Sequence, residues 1–241
     1  MTAASTPTIE ELLAHGVPPR DLARWSEWTL TRVGFRPSNV LMVLSVCRDE
    51  LMLPVEDAVH EVWGPSFDAS SLAGLPLLGR TGMAAALGHT PGEDGRHRFL
   101  VVTLTHVGLD EHGEVGLVAR RGIRRSTSAC GALVAARTRL LTGDTGQVLD
   151  PDDVEMSLLM RALAEDVGAG AVPDLLALTD LTRTRATAEL ERLVDGLQDA
   201  GAPVDHATIS GIVVHGPDGD DVVVVREAFL EIDRVRTALP V

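Results

Sequence analysis

Two unbroken apolar runs, Val40-Leu-Met-Val-Leu-Ser-Val46 and Phe99-Leu-Val-Val-Thr-Leu-Thr105, constrain the architecture more than anything else in the chain. Neither alternates with polar residues, so residues 39 to 47 and 99 to 106 read as strands buried on both faces. Such strands need helices above and below, and the segments around them supply helical patterns. Pro54–Trp63 carries proline in its first turn, and residues 81 to 88 form a short helix. Gly131–Leu141, a stretch from Asp150 to about Asp166, and a charged amphipathic run over Leu181–Ala200 complete the set. Residues 168 to 173, rich in glycine, alanine and proline, separate the last two. Residues 206 to 215 and 221 to 230 flank Gly216-Pro-Asp-Gly219 and predict an antiparallel hairpin, and Gly113–Arg120 reads as a hairpin-like excursion. Residues 8 to 33 form an N-terminal helical arm, opened by Thr8-Ile-Glu-Glu11 with capping-box character and broken at Pro18-Pro19. With no internal repeat and no low-complexity linker, the expectation is a single α/β domain over residues 1 to 241, its central mixed sheet flanked by helices.

The chemistry-bearing residues cluster at the ends of these elements. Cys47 and Cys130 are the only cysteines among 241 residues. Cys47 ends the first strand, directly before Arg48-Asp-Glu50, and open α/β sheets bind ligands at the carboxyl ends of their strands. His106 follows the second strand in the same way. Cys130 precedes a helix whose predicted N-cap is Ser126 or Ser128, and a thiol in a first helical turn is favoured as thiolate by the helix dipole. Two thiolates and an imidazole with a fourth position open form a set used for catalytic zinc. The spacing alone leaves other readings open: buried small cysteines beside a core histidine, or a redox thiol pair.

The wording around these residues resembles the family of limiting-CO2-inducible proteins of the B/C type, relatives of the β-class carbonic anhydrases. The resemblance runs through Ser45-Val-Cys-Arg-Asp-Glu50, Ser71-Leu-Ala-Gly-Leu-Pro-Leu-Leu-Gly-Arg-Thr-Gly82 and Gly88-His-Thr-Pro91. It continues through His106-Val-Gly108, Gly113-Glu-Val-Gly116, Ala129-Cys-Gly-Ala132 and Ser210-Gly-Ile-Val-Val-His-Gly216. It implies a β-carbonic-anhydrase-like fold, Zn2+ on Cys47, His106 and Cys130, reversible hydration of CO2 to bicarbonate through a zinc-bound hydroxide, and a homodimer with one site per chain.

In the β-class relatives an aspartate two residues after the first cysteine either manages the metal's water or closes the site as a fourth ligand, and an arginine holds it. Asp49 occupies that spacing, but the position where the arginine stands is Leu51, and Leu53 is apolar as well. Arg48 points to the opposite face if the segment stays extended. Arg80, among glycines that permit close approach, is the expected distant substitute, and His89 is the expected proton shuttle. Ser45 and Thr105 are placed to hydrogen-bond a metal ligand or a neighbouring backbone group, and His215 reads as structural. His15, His60, His97, His112 and His206 belong to no legible constellation.

Composition excludes more than it assigns. A net charge of −14 argues against nucleic acid and anionic membranes as partners. The absence of tyrosine removes an aromatic cage or base-stacking platform. Residues 72 to 82 are glycine-rich but lack the Gly-Lys-Ser/Thr ending of a phosphate loop. The apolar runs are too short to span a bilayer, and Met1-Thr-Ala-Ala-Ser-Thr6 lacks a secretory pattern. Together with unpaired cysteines this predicts a cytoplasmic protein. Three functions are compatible: a zinc carbonic anhydrase, with CS2 or COS left open as a different small electrophile for the same zinc hydroxide; a catalytically silent zinc protein that binds or senses inorganic carbon or serves in an assembly; and a thiol-redox protein.

Overall fold

The computed structural model describes residues 8–92, 94–217 and 219–241. Residues 1–6, on which the expectation about a secretory pattern falls, and Asp218 of the predicted hairpin turn lie outside the described residues. In chain order the elements are α1 (Ile9–His15), α2 (Pro19–Thr31), β1 (Leu41–Val46), α3 (Leu53–Trp63), β2 (Ser66–Asp68), α4 (Gly79–Leu87), β3 (His97–Gly108), β4 (Leu117–Val118) and β5 (Thr127–Ser128). They continue with α5 (Gly131–Leu141), α6 (Val154–Val167), α7 (Leu175–Asp199), β6 (Val204–His215), β7 (Asp221–Ile232) and β8 (Val235–Ala238).

Six strands form one mixed sheet in the order β2-β1-β3-β6-β7-β8. The first four run parallel, β7 turns back antiparallel to β6, and β8 runs antiparallel to β7. Parallel neighbours need a crossover that packs on the sheet, and the helices between these strands meet that need. Met42, Leu44 and Val46 of β1, with Leu100, Val102 and Leu104 of β3, pack with Leu22 and Leu30 of α2 and with Val55, Val59 and Trp63 of α3. The alternate residues Val43, Phe99 and Val101 face Met83 and Ala86 of α4 and Leu190, Leu193 and Val194 of α7. The unbroken apolar sequence of β1 and β3 is thus the signature of a sheet covered twice.

The N-terminal arm is docked rather than free. Its capping box forms as expected between Thr8 and Glu11. Ile9 and Leu12 pack on Ile212, Val214 and Val224, and Val17 bridges to Val223. Three details differ from expectation. Thr127 and Ser128 form the short strand β5 against β4, so Cys130 itself, not Ser126 or Ser128, is the N-cap of α5. Helix α7 starts six residues before Leu181, because the Asp174 carboxylate accepts the Ala177 N–H and caps it there. The edge strands β2 and β8 are only three and four residues long, with half-buried or exposed side chains, and so carry no apolar run. Among the described residues no helix is long and apolar enough to cross a membrane.

Register sets the site. Val46 pairs with Leu104, so Cys47 leaves β1 one residue below the level of His106 on β3. The loop after β2 lies against this corner, with Cys47 bridged to Ser71 and the Arg48 N–H donating to the Ser71 carbonyl. Gly74 closes that loop with φ +76°, and a Cβ there would sit 3.2 Å from the Leu104 carbonyl oxygen. Gly74→Ala is therefore expected to cost about 1–3 kcal/mol, read as a lower midpoint in urea unfolding.

On β6, His206 is fully buried, and among the described residues neither ring nitrogen has a hydrogen-bond partner. Burial depresses its pKa below the ordinary value, against the opposing pull of Glu231, Asp195 and Asp205. A folded pKa below the unfolded one means the unfolded chain takes up the proton first, so stability falls as pH drops below ~6.5. Unfolding free energies measured across that range should decline in the native protein and decline less in His206→Leu.

Candidate metal centre

Two strand ends and one helix start deliver three buried donors. Cys47 follows β1, His106 lies near the end of β3, and Cys130 caps α5, which packs against the 3-10 turn Leu72–Gly74 and against α7. Their ligand atoms lie within 4.8 Å of one another, and no other such group of three is found among the described residues. The two sulfurs are 3.4 Å apart. The residues are 3%, 1% and 1% exposed in the order Cys47, Cys130, His106, so water reaches none of them freely.

The two sulfurs lie within hydrogen-bonding distance of each other. The Cys47 thiol is pulled down to about 4, chiefly because Cys130 donates to it; burial opposes this, and His106 in its protonated form and the Asp49 backbone N–H assist. Cys130 is pushed up because it holds the proton against the Cys47 sulfur in a buried setting, although the Leu133 and Ala132 N–H groups at the start of α5 offset part of this. The arrangement keeps one thiolate ready and leaves one proton for a cation to displace.

His106 carries the clearest mark of a missing partner. Its Nδ1 lies 3.0 Å from Nε2 of His215, while its buried Nε2 has no hydrogen-bond partner among the described residues. Leaving such an atom unsatisfied costs about 1–3 kcal/mol. A lone pair beside two sulfurs is a fitting donor for a borderline-soft divalent ion, so the residues present suit zinc.

Asp49 stands two residues beyond Cys47, and its partner comes from far along the chain. Arg120 donates from Nη1 to Oδ1 at 3.0 Å and from Nη2 to Oδ2 at 2.9 Å, a two-pronged pair. The Leu51 N–H adds a bond to Oδ1 at 3.2 Å. Burial pushes the Asp49 carboxyl up, but these donors outweigh it and hold the group below the ordinary carboxylate range. Arg120 is itself fixed, donating from Nε to Thr127 Oγ1 at 2.8 Å and from Nη2 to the Ser128 carbonyl at 2.9 Å, and it also pairs with Glu50. The residues that orient Arg120 thus lie just ahead of Cys130.

Arg80 does not fill this role. It lies on α4 beside a cleft it shares with Arg192, Asp195 and Asp199 of the C-terminal half of α7, and Asp49 is already engaged on both oxygens by Arg120. His89 stacks edge-on against Phe67, 5.6 Å between ring centroids. Phe67 pairs with Val43, four residues and about 13 Å along the strand before Cys47. The structure thus does not bring His89 to the sulfurs. Ser45 donates to the Gly74 carbonyl at 3.0 Å and Thr105 to the Thr179 carbonyl at 3.2 Å, so both hydroxyls serve the backbone. His215, read as structural, touches the candidate ligand His106 directly.

Arg120 and His215 are the residues that sequence reasoning missed. The signal for the first was present but ambiguous: Arg120, Arg121, Arg124 and Arg125 crowd one loop, and only the β4–β5 pairing selects among them. For the second, the signal was the apolar strand that places His215 level with the end of β3.

With this geometry in hand, comparisons with known proteins are informative. The chain matches the limiting CO2-inducible proteins B/C beta carbonic anhydrases over residues 17–230. The crystal structure of PtLCIB4, a homolog of the limiting CO2-inducible protein LCIB, superposes with a TM-score of 0.82 at 26% identity, covering 97% of this chain and 98% of that one. The crystal structure of LCIB itself gives a TM-score of 0.76 at 23% identity, covering 96% of this chain and 97% of that one. No curated protein sequence matches. The chain belongs to the family of limiting CO2-inducible proteins B/C, which are beta carbonic anhydrases by description.

Proposed function

We propose that this protein is a zinc-dependent carbonic anhydrase that interconverts CO2 and bicarbonate, working as a homodimer with one site per chain. The observation that carries the reading is the convergence of Cys47, His106 and Cys130 beside an Asp49 carboxylate held by Arg120. Zinc bound by this set supplies Lewis acidity that makes a water nucleophilic near neutral pH. Everything else is work for the chain's own groups.

Asp49 is the group that manages the water. Each carboxylate oxygen has two lone pairs. Oδ1 spends both, on Arg120 Nη1 and the Leu51 N–H, whereas Oδ2 spends one on Arg120 Nη2. One lone pair on Oδ2 is left to accept the hydrogen of the attacking water. Arg120 keeps the carboxylate anionic and turned toward the guanidinium, so Asp49 serves as an acceptor at the site instead of closing it as a ligand. Buried walls keep the groups desolvated, which strengthens each of these interactions.

The silent reading drew on the absent local arginine, and Arg120 supplies that charge from 71 positions downstream. The redox reading accounts for the two sulfurs but leaves the orphaned His106 Nε2 without a purpose. Both observations favour the metal enzyme.

Two measurements test it. Metal analysis should find one zinc per chain, lost in Cys47→Ser, Cys130→Ser and His106→Ala. Cobalt substitution should add thiolate-to-metal charge-transfer absorption, and a metal-free protein would refute the reading. In stopped-flow CO2 hydration with a pH indicator, Arg120→Leu should lower kcat/KM on the order of 100-fold or more, while Arg80→Ala stays within about twofold of wild type. A zinc-loaded wild type with no rate above buffer would end the catalytic proposal.

A further inference from the structure

His106 presents one nitrogen to the sulfurs, and the other begins a hydrogen-bonded chain leading out of the site. Its Nδ1 meets His215 Nε2 at 3.0 Å, and His215 Nδ1 meets Asp221 Oδ1 at 2.9 Å. The rings cross nearly at right angles, with an interplanar angle of 81°. All three residues stand on adjacent strands of the main sheet: His215 is level with Gly108 at the end of β3 and directly opposite Asp221 on β7. His215 is 1% exposed and the Asp221 side chain 18%, so the chain runs from the interior to the rim of the sheet.

The direction of this chain follows from what each atom can do. An ionised carboxylate only accepts hydrogen bonds. Asp221 therefore requires a hydrogen on His215 Nδ1, which in the neutral ring leaves a lone pair on His215 Nε2. That lone pair requires a hydrogen on His106 Nδ1, which leaves the lone pair of His106 on Nε2. This is the buried nitrogen without a partner.

We propose that His215 and Asp221 are positioning residues that fix His106 in its Nδ1–H tautomer and so aim the Nε2 lone pair at Cys47 and Cys130. The carboxylate acts through an intervening imidazole, not on the candidate ligand itself, and places its charge at the sheet's rim while the donors stay buried. The purpose of the device rests on the proposed metal site; the tautomer does not.

The test separates the two. Long-range 1H–15N spectra of the metal-free protein, recorded above pH ~8 where ordinary imidazole is neutral, should show His106 protonated on Nδ1. In Asp221→Asn, a near-isosteric change whose amide donates as well as accepts, the chain is free to reverse, and the Nε2–H form of His106 should appear. Competition against a chromophoric zinc chelator should show affinity falling about 10–100-fold in Asp221→Asn and His215→Leu. His215→Gln, whose Oε1 takes the place of ring Nε2 and accepts from His106, should recover most of it. Should His215→Leu fail to fold, Asp221→Asn decides alone. An Nε2–H His106 in the native protein, or a tautomer unchanged in Asp221→Asn, overturns the proposal. A native protein that shows the Nδ1–H form yet takes up no zinc overturns the metal reading and leaves the relay standing.

Discussion

Parallel pairing of β1 with β3 is the constraint on which the rest depends. It places Val46 beside Leu104, and so brings a thiol and an imidazole 59 positions apart in the sequence, at 47 and 106, to one corner of the sheet. Slippage here would be disruptive, because a one-residue shift would carry every side chain of β1 to the opposite covered face and exchange its neighbours in both layers. The apolar patterning of the strands thus does two jobs, holding the sheet between its helices and bringing two donor atoms to within 4.8 Å of each other.

Around that corner, polar groups are matched with an economy that the interior enforces. A buried polar atom without a partner is costly, and nearly every one at the site is accounted for: Asp49 by Arg120 and Leu51, Arg120 by Thr127 and Ser128, His215 by Asp221. Against this background the free His106 Nε2 is informative. It is one of few buried polar side-chain atoms left unmatched among the described residues. The lowered Cys47 thiol conveys the same message in charge, since a buried sulfur supported by a neighbouring thiol, the His106 ring and the Asp49 backbone N–H is poised for a cation.

Much of this could be read from sequence, and the limits follow the same physics. Strands β1 and β3 and helices α3, α5 and α6 declared themselves through apolar runs, a proline in a first turn and glycine breaks, all local signals. Cys47, His106 and Cys130 were legible because each sits where an element begins or ends. The partner of Asp49 was not, because a guanidinium that reaches back 71 positions leaves no trace in spacing, and four arginines in one loop looked alike until β4 paired with β5. Arg80 drew attention through its glycine neighbours, yet α4 carries it to the cleft along the far half of α7. The short edge strands β2 and β8 escaped notice because they bury too little to need an apolar pattern.

The hairpin of β6 and β7 carries a consequence for how the chain comes into being. A protein is made from its N-terminus, and Cys47, His106 and Cys130 all emerge well before Val204, where β6 begins. Until β6 arrives, the nascent chain lacks the strand that flanks β3 and the imidazole that meets His106, and its two thiols stand in an unfinished layer. Contacts so distant in sequence close late and slowly. Completion of the centre therefore waits on synthesis of the β6–β7 hairpin, which carries His215 and Asp221.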